Sequence, residues 1–319
     1  MTGAHALWIT AAGQAAIRET PYRPAEDAVQ VTTLFSGISR GTERLVYRGH
    51  VPVSEQADMR APFQEGDFTF PVKYGYAAVG EVQTGDRQGQ VVFSLFPHQT
   101  RFAVPAHMAL PVPADVPAAR AVLAANMETA VNIAWDAGIG IGDRVVVVGC
   151  GVVGALVGYL SAKIPGTDVT LIDIEPARAR LAATLGCGFA RPDTAPGTAD
   201  VVIHASASAA GLSLAIALAG PEATVIEASW YGSQTVDVPL GGRFHHQRLR
   251  IVSSQVGRLP ARQAPRWDFG RRLAKALTLL NDPALDALIS GETPFADLPA
   301  AYDGILRDPS TLCHRVRYG

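Results

Sequence analysis

The clearest chemistry in this 319-residue chain lies in Gly149-Cys150-Gly151-Val152-Val153-Gly154. This G-x-G-x-x-G follows the β-branched run Val145 to Val148 and opens into a helix-forming stretch, Ala155 to Lys163. Gly149 allows a tight turn, Gly151 lets the backbone approach a pyrophosphate, and Gly154 lets the helix pack closely on the strand. The helix start, at Val152 and Val153, then turns free N–H groups and the positive end of its dipole toward phosphates. A second strand, Asp168 to Asp173, closes on an acid beside Ile174. Asp173 can accept from both ribose hydroxyls, and its charge would repel a 2′-phosphate. Strand, glycines, helix, strand and acid in this order predict dinucleotide binding, with NAD(H) favoured. Arg178, one turn into the next helix, keeps NADP(H) open as a phosphate partner; its other reading is a solvated helix residue.

The elements that position these groups follow from the flanking patterns. Asp200 to His204 and Ala223 to Ala228 read as the third and fourth strands, with a helix at Ala209 to Leu218 between them, and Arg250 to Ser254 as the last strand. Such alternation predicts an α/β fold, a parallel sheet with helices on both faces. Ala205-Ser206 and Ser229-Trp230 fall at carboxyl ends of strands, where open α/β sheets bind ligands. Pro176 to Leu185 and Ala118 to Ala137 carry helix patterns. Upstream of Pro113 the chain is rich in short strands: a hairpin of Ala4 to Ile9 with Ala15 to Glu19, then Val29 to Phe35, Gly75 to Val82, Gln90 to Phe96 and Arg101 to Val104. That spacing predicts a partly open barrel. Val51 to Phe70 has no clear period, as in a lid, a binding loop or a disordered segment. An Arg-rich link (Arg258, Arg262, Arg266, Arg271, Arg272) is expected to be a solvated face around a helix from about Asp268 to Leu280. A helix at Leu298 to Leu306 and a strand at Cys313 to Tyr318 close the chain.

Composition narrows the class. A hydrophobic content of 48%, a charged content of 18% and a formal net charge of −2 describe an ordinary globular protein without a basic stripe, which argues against nucleic acid as the partner. The three cysteines, Cys150, Cys187 and Cys313, make neither a disulfide framework nor a zinc spacing. No signal pattern or membrane-length apolar run is read, so a cytoplasmic protein acting on a small molecule is expected.

Taken together, Ser36-Gly37-Ile38-Ser39-Arg40-Gly41-Thr42-Glu43, Pro71 to Val82, the glycine motif and Phe295 to Tyr318 resemble the medium-chain dehydrogenase/reductase superfamily over essentially the whole chain. The resemblance implies a GroES-like barrel domain split by an inserted Rossmann domain: residues 1–122, then 123–255 for the dinucleotide, then a return over 256–319. It also implies a homodimer and an active site in a cleft between the domains. Where the zinc enzymes carry a Cys ligand this chain has Ser39. Where they carry His-Glu it has Tyr76 and Ala77, and Ala125 to Thr129 holds no Cys or His. A catalytic zinc needs about three protein ligands, so a zinc-independent branch is expected, with no metal. Locally, SGISRGTERL most resembles the zinc-independent alcohol dehydrogenases that oxidise the hydroxyethyl side chain of bacteriochlorophyllide.

Without a metal, a hydrogen-bond donor must act on the oxygen that gains charge as hydride moves. The resemblance turns Tyr76 and Ser39 toward the cleft, flanked by Arg40, Thr42 and Glu43. Tyr76 is the first choice of acid; Ser39 either relays a proton or caps a turn, and Glu43 is a base or pairs with Arg40 or Arg44. Leu95, Phe96 and His98 correspond to a substrate pocket, Thr129 to a position near the nicotinamide, and Ser254-Gln255 to a segment that meets the carboxamide. The leading expectation is a NAD(H)-linked oxidoreductase interconverting a secondary alcohol and a ketone on an organic substrate larger than ethanol. The alternatives are an NADPH-dependent quinone or enone reductase of the same fold and a non-catalytic NAD(H) sensor.

Overall fold

In a computed structural model, which describes residues 3–319, the chain separates into two compact units. One comprises Met1–Ala125 with Leu273–Gly319, the other Asn126–Arg272.

The first unit begins with the antiparallel hairpin of β1 (Gly3–Ala11) and β2 (Gln14–Pro21). The long strand β3 (Val29–Ser39) runs directly into helix α1 (Arg40–Tyr47), which buries Glu43, Val46 and Tyr47, one helical face. Short strands follow: β4 (Glu65–Gly66), β5 (Val72–Lys73), β6 (Ala78–Val82), β7 (Val91–Ser94), β8 (Arg101–Val104) and β9 (Leu110–Pro111). The helix expected over Ala118 to Ala137 is two helices, α2 (Ala118–Ala121) and α3 (Ala124–Ala137).

The second unit is built on β10 (Arg144–Val148), α4 (Val152–Ala162), β11 (Asp168–Ile172), α5 (Arg178–Thr184), β12 (Gly188–Ala190), β13 (Ala199–His204), α6 (Ala209–Leu218), β14 (Ala219–Glu227) and β15 (Arg250–Ser253). Its six strands are all parallel, in the order β12-β11-β10-β13-β14-β15. The valines of β10 are buried on both faces, as a central parallel strand requires. The chain winds outward from β10 to β12 and then returns to β13 on the other side of β10, so the strand order reverses there. A crevice at the carboxyl ends of the strands forms at such a reversal.

The boundary at the far end falls inside α7 (Phe269–Thr278), at Arg272 rather than at residue 256. Arg272 explains the difference. It is 1% exposed and bonds Glu128 Oε1 at 3.0 Å, Asn132 Oδ1 at 2.5 Å and the Val256 carbonyl at 2.6 Å, all in the second unit. The Arg-rich link is therefore solvated at Arg258, Arg262, Arg266 and Arg271 but not at Arg272. The chain returns through β16 (Ile289–Pro294), α8 (Leu298–Arg307) and β17 (Cys313–Arg317). In the first unit a seven-stranded sheet runs β16-β17-β3-β6-β7-β9 with β8 on β3, beside a four-stranded sheet β2-β1-β5-β4. β3 exchanges partners along its length, from β8 and β6 to β17, which curls the sheet into the expected barrel. The Val51 to Phe70 segment is tied down: Phe63 packs on Phe96 at 5.0 Å, Phe68 is buried, and Arg60 pairs with Asp67. No described helix is long and apolar enough to cross a membrane.

Candidate functional site

The glycine loop has the geometry its residue types predict. Gly149 sits at φ +106°, a conformation only glycine adopts without strain. A Cβ on Gly149 would lie 2.8 Å from the backbone of Ser206, and one on Gly154 would lie 1.9 Å from the Gly149 carbonyl oxygen. Gly151 is different: it N-caps α4 in an extended conformation, and a Cβ built there meets nothing within 4 Å. The open space is where a bound pyrophosphate needs bare backbone, and the N-terminus of α4 borders it. The loop therefore fits a dinucleotide.

Asp173 is placed to do two things. Its Oδ2 accepts the Cys150 N–H at 2.7 Å and its Oδ1 accepts the Glu175 N–H at 3.0 Å, so it ties β11 to the glycine loop. Ile174 beside it is 78% exposed, an apolar surface open to a flat ligand. The Arg178 charge reaches the Cys150 thiol, so this arginine stands close to the loop. Burial, then the Asp173 charge, push the Cys150 thiol up to about 12. It stays protonated and acts as a small packing residue.

At the ends of β13 and β14, Ala205 and Ser229 are half-buried and Ser206 is exposed. His204 and Glu227, neighbours in the parallel ladder, are joined Nδ1 to Oε2 at 2.7 Å. Burial raises the Glu227 carboxyl, but bonds from His204 and Ser229 outweigh it and hold the group below its usual range. Trp230 is half-buried next to Ser229, and Thr129 lies half-buried on α3. The Ser254 hydroxyl is committed to Asp136 at 2.6 Å, while its N–H continues the β14–β15 ladder to the Glu227 carbonyl.

The first unit carries a second constellation, centred on Glu43. This residue, expected either as a base or paired with Arg40 or Arg44, is fully buried. Oε1 accepts the Ser39 N–H at 2.8 Å, and Oε2 accepts the Tyr302 hydroxyl at 2.6 Å and faces His98 Nε2 at 3.0 Å. His98 Nδ1 meets Ser36 Oγ at 2.7 Å, and that hydroxyl meets Tyr318 Oη at 3.0 Å. With an ionised Glu43, one assignment satisfies every group. Tyr318 donates to Ser36, Ser36 to His98 Nδ1, and His98 Nε2–H and Tyr302 to the carboxylate. Gly75 makes room for the imidazole, since a Cβ there would lie 2.9 Å from His98 Cδ2.

Tyr76 and Ser39 do come together. The Tyr76 hydroxyl bonds the side chains of Ser39 and Thr42, and its ring meets Tyr74 edge-on at 6.0 Å. Burial, reinforced by the Glu43 charge, pushes the Tyr76 hydroxyl up to about 12. Tyr76 is half-buried and Ser39 buried, while Arg40 opens α1 half-buried. Leu95 is half-buried. Phe96 stacks on Phe102 at 4.4 Å against the barrel core, and the two rings share the lining of a cavity with Phe63, Gln64 and Gln99. Tyr302, Ser36 and Tyr318 were not singled out from the sequence, which cannot show that they lie beside Glu43 and His98. Among the described residues no three His, Cys, Asp or Glu side chains converge as a metal site.

No protein-family model matches the sequence, and no curated protein sequence matches it. Solved structures do resemble the fold. L-idonate 5-dehydrogenase from Escherichia coli superposes with a TM-score of 0.80 at 15% identity, over 99% of this chain and 98% of that one. 2R,3R-butanediol dehydrogenase from Bacillus subtilis gives 0.78 at 17% identity, over 98% and 99%. An E. coli CFT073 alcohol dehydrogenase complexed with NADH gives 0.76 at 18% identity, over 99% and 100%. With these likenesses, the split barrel and the inserted six-stranded parallel sheet, the chain shares the fold of these dehydrogenases, a GroES-like barrel interrupted by a Rossmann unit.

Proposed function

We propose that the protein is a zinc-independent NAD(H)-linked oxidoreductase that interconverts a secondary alcohol and a ketone on an organic substrate larger than ethanol. The observation that carries this reading is the open cradle over Gly151, bounded by the α4 N-terminus and the Asp173 carboxylate. Likeness in fold to alcohol-type dehydrogenases, one of them complexed with NADH, supports it, as does the Ser36 to Leu45 resemblance.

When bound, the nicotinamide supplies the hydride acceptor or donor. Gly149, Gly151 and the first turn of α4 would hold the pyrophosphate, and Asp173 the ribose hydroxyls. The donor set of the barrel unit does not fit a catalytic zinc. By the family resemblance Ser39 and Tyr76 correspond to the thiolate and imidazole ligands of the zinc enzymes, and Glu43 and His98 already satisfy one another and their neighbours. The same groups suit proton handling. Tyr76 remains protonated across the physiological range and can donate to an oxygen that becomes negative. Ser39 and Thr42 orient it.

The test is a parallel fluorescence titration with NADH and NADPH on wild type and Asp173→Ala, with metal analysis of the same sample. NADH should bind preferentially and lose at least about tenfold in affinity in the variant, ~1.4 kcal/mol. Preference for NADPH, with Arg178 as its phosphate partner, would favour the quinone or enone reductase reading. Stoichiometric zinc would overturn the account of the barrel unit. Tyr76→Phe should lower kcat/KM for the best alcohol by about 10²-fold or more. Because Tyr76 loses its proton only near 12, wild-type rates should show no fall assignable to it between pH 6 and 10. An unchanged rate in Tyr76→Phe would remove it as the donor.

A further inference from the structure

In the second unit, His204 ends β13 and Glu227 ends β14, and the parallel register sets them side by side. Glu227 Oε2 takes His204 Nδ1 at 2.7 Å, and its Oε1 is fixed by the Ser229 N–H at 2.8 Å. Tyr231 donates to the same Oε2 at 3.1 Å and stacks along the imidazole at 6.3 Å. With Nδ1–H held by the carboxylate, Nε2 carries the lone pair. It meets Ser206 Oγ at 2.7 Å. Ser208 Oγ, which accepts the Gly211 N–H at 3.0 Å, lies 2.9 Å from Ser206 Oγ and can donate to it. The result is a directed chain from an exposed serine through a fully buried histidine to an oriented carboxylate.

Ser206 also stands on a sharp strand-to-helix corner. Ala207 after it is at φ +51°, Ser208 caps α6, and the helix begins at Ala209. A strained turn that presents a serine above the carboxyl ends of a parallel sheet is how hydrolases expose a nucleophile. Gly211 in the first turn of α6 leaves room for the arrangement. A Cβ there would lie 2.2 Å from Ser206 Oγ and 2.8 Å from His204 Nε2.

We propose that Ser206, His204 and Glu227 form a nucleophilic triad that hydrolyses small, activated carboxylic esters at the mouth of the dinucleotide cradle. Ser206 Oγ bonds to the acyl carbon as its proton passes to His204 Nε2. The bond from the acyl carbon to the alcohol oxygen breaks, and that oxygen leaves with the proton from Nε2. Water then attacks the acyl-serine, giving its proton to Nε2, and the acid departs as the serine regains its hydrogen. Ester and water become acid and alcohol, with no change of oxidation state. Glu227 holds the imidazole in the required tautomer and balances the transient imidazolium, and the first-turn N–H groups and dipole of α6 oppose the charge on the tetrahedral oxygen. The Gly149 loop packs against the Ser206 backbone, so a bound dinucleotide would crowd the triad.

The experiment pairs hydrolysis of p-nitrophenyl acetate with labelling by a fluorophosphonate and mass mapping of the adduct, on wild type, Ser206→Ala and Glu227→Gln. The label is expected on Ser206. The burst and turnover should fall at least about 100-fold in Ser206→Ala and at least about tenfold in Glu227→Gln, and NADH should slow wild-type labelling. An unlabelled Ser206, or unchanged hydrolysis in folded Ser206→Ala, overturns the triad, since surface groups would then account for the turnover. NADH affinity measured separately on wild type keeps the two readings apart: binding without ester turnover leaves the oxidoreductase reading standing, and ester turnover without binding leaves the triad.

Discussion

Replacing Glu43 by alanine will destabilise the barrel unit by roughly 3–5 kcal/mol, the range for removing one member of a buried charged network. The melting temperature should fall by roughly 10 °C. The carboxylate is fully buried and takes three donors, the Ser39 N–H, the Tyr302 hydroxyl and His98 Nε2. Alanine leaves all three without an acceptor in a space too small and apolar to rehydrate them cheaply. Glu43→Gln is the informative control. Whichever way its amide is turned, an NH₂ faces a donor, but Tyr302 can rotate to accept and His98 can move its proton from Nε2 to Nδ1. That switch reverses the hydrogen bonds to Ser36 and Tyr318, so Gln should recover about half of the stability while disturbing the relay. A Glu43→Ala protein that melts like wild type would show that the carboxylate is not the hub of this unit.

What could be read from the sequence follows the range over which its signals act. The dinucleotide loop is local: the valines of β10, the three glycines and Asp173 lie within one stretch, each constrained by its neighbours in the chain. That the sheet is parallel follows from the alternation of strand and helix; its order, with β12 at one edge, does not. The hub around Glu43 is not local. Its partners His98 and Tyr302 lie 55 and 259 residues away, and no periodicity reports such a pairing. Helix α1 is too short, at eight residues, for its period to stand out in the sequence, although Glu43, Val46 and Tyr47 mark one buried face. The expectation of a solvated Arg-rich link failed at one position, Arg272, whose partners Glu128 and Asn132 come from a helix far upstream. Phe96 was legible only through a family correspondence: its stacking on Phe102 and its place in the lining of a cavity depend on residues distant in the chain, such as Phe63. The His204–Glu227 pair did leave a trace. DVVIH and ATVIE are apolar strands that each end on an ionisable residue, and parallel register brings such ends together.

The last two glycines of the loop separate folding from binding. Gly154→Ala puts a methyl carbon 1.9 Å from the Gly149 carbonyl oxygen, a backbone atom with no rotamer to escape into. Helix α4 must slide off β10 or the loop must open. The cost is at least the ~1–3 kcal/mol of overpacking, and NADH binding should be lost with it. Gly151→Ala meets no atom within 4 Å, and its φ of −75° suits alanine, so this variant should melt within about 1 °C of wild type. Its methyl group nevertheless enters the space where a pyrophosphate would cross the bare backbone. NADH affinity should therefore drop by about tenfold or more, equivalent to ~1.4 kcal/mol. Melting curves and fluorescence titrations on both variants decide the matter. If Gly151→Ala binds NADH as tightly as wild type, the pyrophosphate does not pass over Gly151 and the cradle does not hold a dinucleotide as proposed. If it loses binding while Gly154→Ala loses stability as well, the loop uses one glycine to pack its helix and the other to admit its ligand.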